Sequence, residues 1–297
     1  LFNIIIFFRE KIMIDSSVSL STACASAAAD LNKSKNFYIY ANTDIKRSGF
    51  LPAIEPSCVD AVFKALRTIE IEEDQIQKIN NRAELEEKCL SPTLNSSQIT
   101  LILPGGNALL LMDDLGPISE KIRTFVEKGG KLVGICAGAM VLAKQMVRSH
   151  SHGCILYTRT TKFSELGPPQ AGQGPFDLVS LQVNYPFLTT EEGTPKRDPT
   201  PIPVHVDLSE SCSKPLPALF HDGCIFSIYD KSRWTGIVDA YIPNEEEPLI
   251  AAWHEFCGEG MIIGFAFHPE LPIPPAEAPS PEALQLFKRT LNLEKTA

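Results

Sequence analysis

The sequence predicts an α/β protein with a mostly parallel open sheet and an irregular insertion. Three observations point there. From Phe37 to about residue 148, apolar runs of strand length alternate with amphipathic stretches of helical spacing, the rhythm of parallel βαβ units. Gly- or Pro-rich turns follow the strand-like runs. The rhythm then breaks over about residues 149–223, where Pro, Gly and Ser accumulate, and resumes towards the C-terminus.

The elements justify themselves in order. Phe37-Tyr38-Ile39-Tyr40 is an apolar run of buried-strand type. Pro56 opens a helix in which Val59, Val62, Phe63, Leu66 and Ile69 share a face. Residues 69–97 are expected to hold a strand and a short helix. Ile99 to Leu103 is a strand stopped by Pro104-Gly105-Gly106. Ile118 to Glu127 presents Ile122, Phe125 and Val126 on one helical face, and Gly129-Gly130 caps it. Lys131 to Ile135 is the next strand, and a helix is expected just after Cys136. Beyond the insertion come strand-like runs at Cys224–Tyr229, Trp234–Tyr241, Leu249–Trp253 and Met261–Phe267, then a helix from Pro281 to Leu291. Residues 1–36 read as an appendage, because Leu1–Phe8 is apolar but short and Ile14–Asn36 is weakly patterned. One domain is expected over 37–297, with the insertion inside it.

Composition narrows the function. A net charge of −9 argues against nucleic acid or an anionic membrane as main partner, since both need a basic surface. Eight cysteines are scattered without a CxxC pair. They fit reduced thiols and a cytoplasmic setting, since a core of this size needs no staples.

The most informative stretch is Gly134-Ile135-Cys136-Ala137-Gly138-Ala139, at a strand-to-helix turn. Small neighbours let a tight, strained turn hold a nucleophile at the carboxyl edge of the sheet. The start of the following helix favours a thiolate. Pro104-Gly105-Gly106 ends the neighbouring strand, so the amides of Gly105 or Gly106, with that of Ala137, are expected to form an oxyanion hole. His268-Pro269-Glu270 ends another strand. Residues two apart on an extended segment point the same way, which puts Glu270 behind His268 as orienter and His268 against Cys136 as base. The sulfur is expected within roughly 3–4 Å of an imidazole nitrogen. Such acyl chemistry calls for no cofactor and no metal. Its substrate is a small amide or related acyl compound.

Other polar groups receive plainer readings. His150-Ser151-His152-Gly153-Cys154 reads as a polar loop. Asp113-Asp114 reads as a polar N-cap region before Pro117. His254-Glu255 is a weaker rival base at the end of a strand. Glu245-Glu246-Glu247 reads as a solvated turn, and Trp234 and Trp253 as core or cleft lining.

Taken together, Leu101–Lys144 and the strand ending in His268-Pro269-Glu270 resemble the class I glutamine amidotransferase-like superfamily. More narrowly, Leu103-Pro104-Gly105-Gly106, the Ile122–Gly130 helix and Lys131–Ala139 look like the N-terminal, amidotransferase-like domain of biotin–protein ligases. The resemblance covers roughly 37–148 and 224–292. It implies a flavodoxin-like three-layer αβα sandwich and a Cys-His-Glu triad of Cys136, His268 and Glu270. Met140 stands where glutamine-using members carry Gln, and the Gly-Arg-Gly-Arg type of signature is missing from the sequence. The expectation is therefore a cysteine-dependent amide or acyl hydrolase rather than a biotin ligase. The alternative is a binding module on the same fold.

Overall fold

Strands β1 (Asn36–Tyr40), β2 (Ile76–Ile79), β3 (Ile99–Leu103), β4 (Lys131–Ile135) and β13 (Gly260–Phe265) form the main parallel run of one sheet, in the order β2-β1-β3-β4-β13. Each neighbouring pair among them is parallel. This is the doubly wound order 2-1-3-4-5, and the fold is flavodoxin-like α/β. The structure is a computed structural model; it describes residues 35–46, 51–150, 153–158, 175–185, 198–206, 215–221, 224–244 and 247–293.

Buried strands explain the apolar runs. All five residues of β3 are buried, as expected of a parallel strand covered on both faces. Helices α1 (Pro56–Thr68), α2 (Arg82–Lys88), α3 (Ala108–Leu115) and α4 (Ser119–Glu127) lie in the connections between the parallel strands. In α1, Pro56 occupies the first turn, and Cys58, Val59, Val62, Ala65 and Leu66 are buried. Helix α4 buries Ile122, Phe125 and Val126 and ends at Gly129, whose φ of 104° suits glycine alone.

The chain after Cys136 departs from expectation. Helix α5 (Ala137–Met140) is a single turn, and β5 (Ala143–His150) already follows. The break in rhythm therefore starts at about residue 143. Ala143–Tyr185 is also more regular than expected. It supplies β5, β6 (Gly153–Thr158) and β7 (Val179–Tyr185), which extend the sheet beyond β13. Strands β8 (Thr200–Val206) and β9 (Leu216–Phe220) pair with each other. Strands β10 (Ile225–Ile228), β11 (Ile237–Ile242) and β12 (Leu249–Cys257) complete the set, β12 joining β13 antiparallel. Several of these strands alternate buried and half-buried residues, as β7 does with Val179, Leu181 and Val183 buried, and prolines fall in β8 and β9. Apart from the parallel β5–β7 pair, they pair antiparallel, where one face can be wetter, so most of them lack the continuous apolar runs of β3.

Two assignments are corrected. Asp113 and Asp114 lie in the last turn of α3, whose N-cap is Asn107, rather than at a helix start. The sequence Ala108-Leu109-Leu110-Leu111-Met112 is apolar nearly all round, so its period is hidden. His254 sits inside β12, not at its end, and its Nδ1 lies 2.7 Å from buried Asp239.

Trp253 is fully buried and Trp234 packs against it, edge to face. Helix α6 (Pro281–Leu291) closes the described chain, with Ser280 accepting from the Ala283 amide at 3.0 Å. One compact unit runs from Asn36 to Ala297. Residues 1–34, His152, Glu245 and Glu246 lie outside the described residues, as do the side chains of His150 and Cys154. The expectations placed on them stay with the sequence. No helix among the described residues is long and apolar enough to cross a membrane.

Candidate active site

Adjacent parallel strands end side by side, and here β3, β4 and β13 do so within one sheet. The turn after β4 holds Cys136 at φ 52°, ψ −112°. A non-glycine residue tolerates such geometry only where its surroundings enforce it. The Cys136 amide donates to the Phe265 carbonyl at 2.8 Å, which ties the turn to β13. The flanking glycines have a steric cause. A Cβ on Gly134 would stand 2.5 Å from the Gly138 carbonyl oxygen, and one on Gly138 would stand 1.9 Å from the Leu103 oxygen. Strands β3 and β4 and the turn therefore pack backbone against backbone. Helix α5 is too short to give the full dipole expected at the cysteine.

Directly after β13, the His268 amide donates to the Leu219 carbonyl at 2.9 Å. The His268 Nδ1 lies 2.8 Å from Glu270 Oε1, and both side chains are buried. The Cys136 sulfur lies near enough to His268 to interact with its charge. Burial alone would lower the imidazole pKa. The Glu270 carboxylate and the Cys136 sulfur outweigh that penalty, and the hydrogen bond to Glu270 acts in the same sense, so His268 titrates well above its ordinary 6.5.

Gly105 and Gly106 stand at the end of β3. A Cβ on Gly105 would come within 2.7 Å of His268 Cε1, so glycine leaves the imidazole its place. A Cβ on Gly106 would meet the Ala53 oxygen at 2.3 Å, because residues 53–55 run against this turn. The Glu55 amide donates to the Gly105 carbonyl, and the Asn107 amide donates to Pro52 and Ala53. Among the described residues, no turn or loop hydrogen bond takes the amides of Gly105, Gly106 or Ala137. Met140 is buried and apolar.

Two neighbours carry no signal in the sequence. Cys58, on the apolar face of α1, has its sulfur 3.1 Å from the Cβ position of Gly105, beside the imidazole. Burial pushes its thiol up to about 12; His268 opposes this, while Glu270 and Cys136 add to it. It looks like any core cysteine of an amphipathic helix, and only the fold reveals its location. The second is His221, in the segment that breaks the rhythm. Its carbonyl oxygen lies 3.9 Å from the Cys136 sulfur, and its ring centroid lies 6.4 Å from that of His268.

Residues 52–150 match the family model for the N-terminal region of biotin–protein ligase. The match runs from the start of α1 through β5 and contains Cys136, Gly105 and Gly106, while His268 and Glu270 lie beyond it. Among solved structures, a β-galactosidase from Rahnella sp. R3 aligns with 86% of this chain at 12% identity and a TM-score of 0.47. One from Bacillus circulans sp. alkalophilus aligns with 87% at 10% and 0.44. This chain spans 30% of each of those proteins. A cytoplasmic protein from Salmonella typhimurium LT2 aligns over 88% of this chain and 100% of its own, at 13% and 0.42. Likenesses this distant assign no chemistry to the chain.

Proposed function

We propose that the chain is a class I glutamine amidotransferase-like protein that hydrolyses an amide or related acyl substrate through Cys136. The observation that carries this reading is the strained Cys136 turn facing the buried His268–Glu270 pair. The raised His268 pKa favours a resting imidazolium. The sulfur attacks the carbonyl carbon, and the oxyanion forms near the amides of Gly105, Gly106 and Ala137. His268 passes its proton to the leaving amine as the C–N bond breaks, leaving a thioester on Cys136. Water then attacks, with the neutral imidazole accepting its proton, and the acid leaves as the thiolate–imidazolium pair is restored. Glu270 orients the imidazole throughout. The chemistry uses this chain's own side chains, and the buried Met140 in place of a Gln favours an acyl compound other than glutamine.

The test is a panel of small amides and esters with wild type and Cys136→Ser, read by turnover and by intact mass. The wild type is expected to show a mass increase equal to the acyl group. The variant is expected to lose at least about a hundredfold in rate, the scale of removing an activated nucleophile–base pair. Equal turnover by both proteins ends the reading. Iodoacetamide labelling gives a second readout: Cys136 should react ahead of the other cysteines. No turnover together with no preferential labelling would leave a binding module on this fold.

A further inference from the structure

Cys58 has no part in the acyl transfer just described, yet it completes a cluster. Its sulfur, a ring nitrogen of His268 and a carboxylate oxygen of Glu270 all lie within 4.8 Å of one another, and all three residues are buried. An independent observation points to the same place. Glu270 Oε2 is buried and has no hydrogen-bond partner among the described residues, while Oε1 is taken by His268. A buried carboxylate oxygen left alone is costly and calls for a proton, a water or a cation.

The donor set decides which cation. Sulfur, imidazole nitrogen and carboxylate oxygen together suit zinc-type ions, whereas Mg²⁺ and Ca²⁺ take oxygen. Ligands around one zinc ion at bond lengths of ~2.0–2.3 Å stand about 3–4 Å apart, so the three donors need only small side-chain shifts to meet. Three protein ligands leave a fourth position open.

We propose that Cys58, His268 and Glu270 bind a thiophilic divalent cation of the Zn²⁺ class, and that occupancy silences Cys136 by taking the imidazole it faces. On binding, the Cys58 thiol and the His268 imidazolium each release a proton to solvent, and the sulfur and the freed ring nitrogen supply electron pairs; nothing is oxidised or reduced. Metal uptake is read without any substrate, so the proposal stands or falls separately from the hydrolase reading.

The test uses the reduced full chain and Co²⁺ as a spectroscopic probe. Wild type and Cys136→Ser are expected to show a thiolate-to-cobalt charge-transfer band at one ion per chain, removed by added Zn²⁺. Cys58→Ser should lose the band, and Glu270→Gln should weaken uptake by at least about tenfold, the scale of losing one supporting ligand. Zn²⁺ should slow alkylation of Cys136 in wild type but not in Cys58→Ser, and EDTA should restore the rate. A band that survives in Cys58→Ser overturns the proposal, as does one lost in Cys136→Ser and kept in Cys58→Ser. If Cys58→Ser does not fold, zinc-edge X-ray absorption of loaded Cys136→Ser decides. A shell containing sulfur beside lighter atoms supports the site, and one of nitrogen and oxygen alone refutes it.

Discussion

At the position of Gly105 a single methyl group decides where the imidazole stands. An added Cβ would lie 2.7 Å from His268 Cε1, well inside van der Waals contact, and the ring is held from behind by Glu270 at 2.8 Å. Gly105→Ala is expected to push the ring off that bond. Turnover should then fall by at least about tenfold, since small misplacements at a reacting centre cost that much or more. The check is kcat in a variant whose far-UV spectrum and melting match wild type. Glu270→Gln keeps the shape and removes the charge that raises His268. Its His268 resonance is expected to titrate at lower pH than in wild type, followed by NMR. The positions of Cys136, His268 and Glu270 after β4 and β13 could be read from the sequence because each follows a strand next to small or rigid residues. Cys58 could not, because a buried thiol in a helix has the same pattern whether it touches core or site.

Among the elements, the Cys136 turn depends on close backbone packing. Gly138→Ala would put a methyl 1.9 Å from the Leu103 carbonyl oxygen, and backbone cannot step aside as a side chain does. The expected loss is more than about 4 kcal/mol, the range of severe overpacking and strain, seen as insoluble protein or a sharply lowered Tm. A milder change tests α6. Ser280→Ala removes the acceptor for the Ala283 amide and should cost about 1 kcal/mol, a Tm drop of a few degrees in a thermal melt. The legibility of the elements follows the same physics. Strands β1, β3, β4 and β13 declared themselves because burial on both faces demands continuous apolar runs. Helix α3 did not, because a helix apolar nearly all round shows no 3.6-residue period. The strands β5 to β9 did not either: β7 alternates apolar and polar residues and has no continuous apolar run, and prolines interrupt β8 and β9.

Across the described residues, the large pKa shifts share one sign. Burial raises Cys58 and Cys89 from 9.0 to about 12, and His268 is raised above 6.5. In each case the folded chain holds a proton that the unfolded chain releases. The His268 contribution is complete below about 6.5 and fades as pH rises through its folded value. The two thiols cost nothing below about 9 and destabilise the fold progressively between 9 and 12. Stability should therefore fall on the alkaline side, by about 1.4 kcal/mol per pH unit for each titrating group. Cys89→Ala is expected to flatten that slope by one such increment in urea unfolding at pH 9.5–11. The order of the sheet also sets a clock on the site. Cys136 precedes its imidazole by 132 residues, and β13, which delivers that imidazole, pairs in parallel with β4 and antiparallel with β12. At a synthesis rate of ~5–20 residues per second, the thiol exists for roughly 7–26 s before its base has been made. In the proposed reaction, Cys136 of a nascent chain would lack its base until β13 is laid between β4 and β12, so full activity would wait on the last strand.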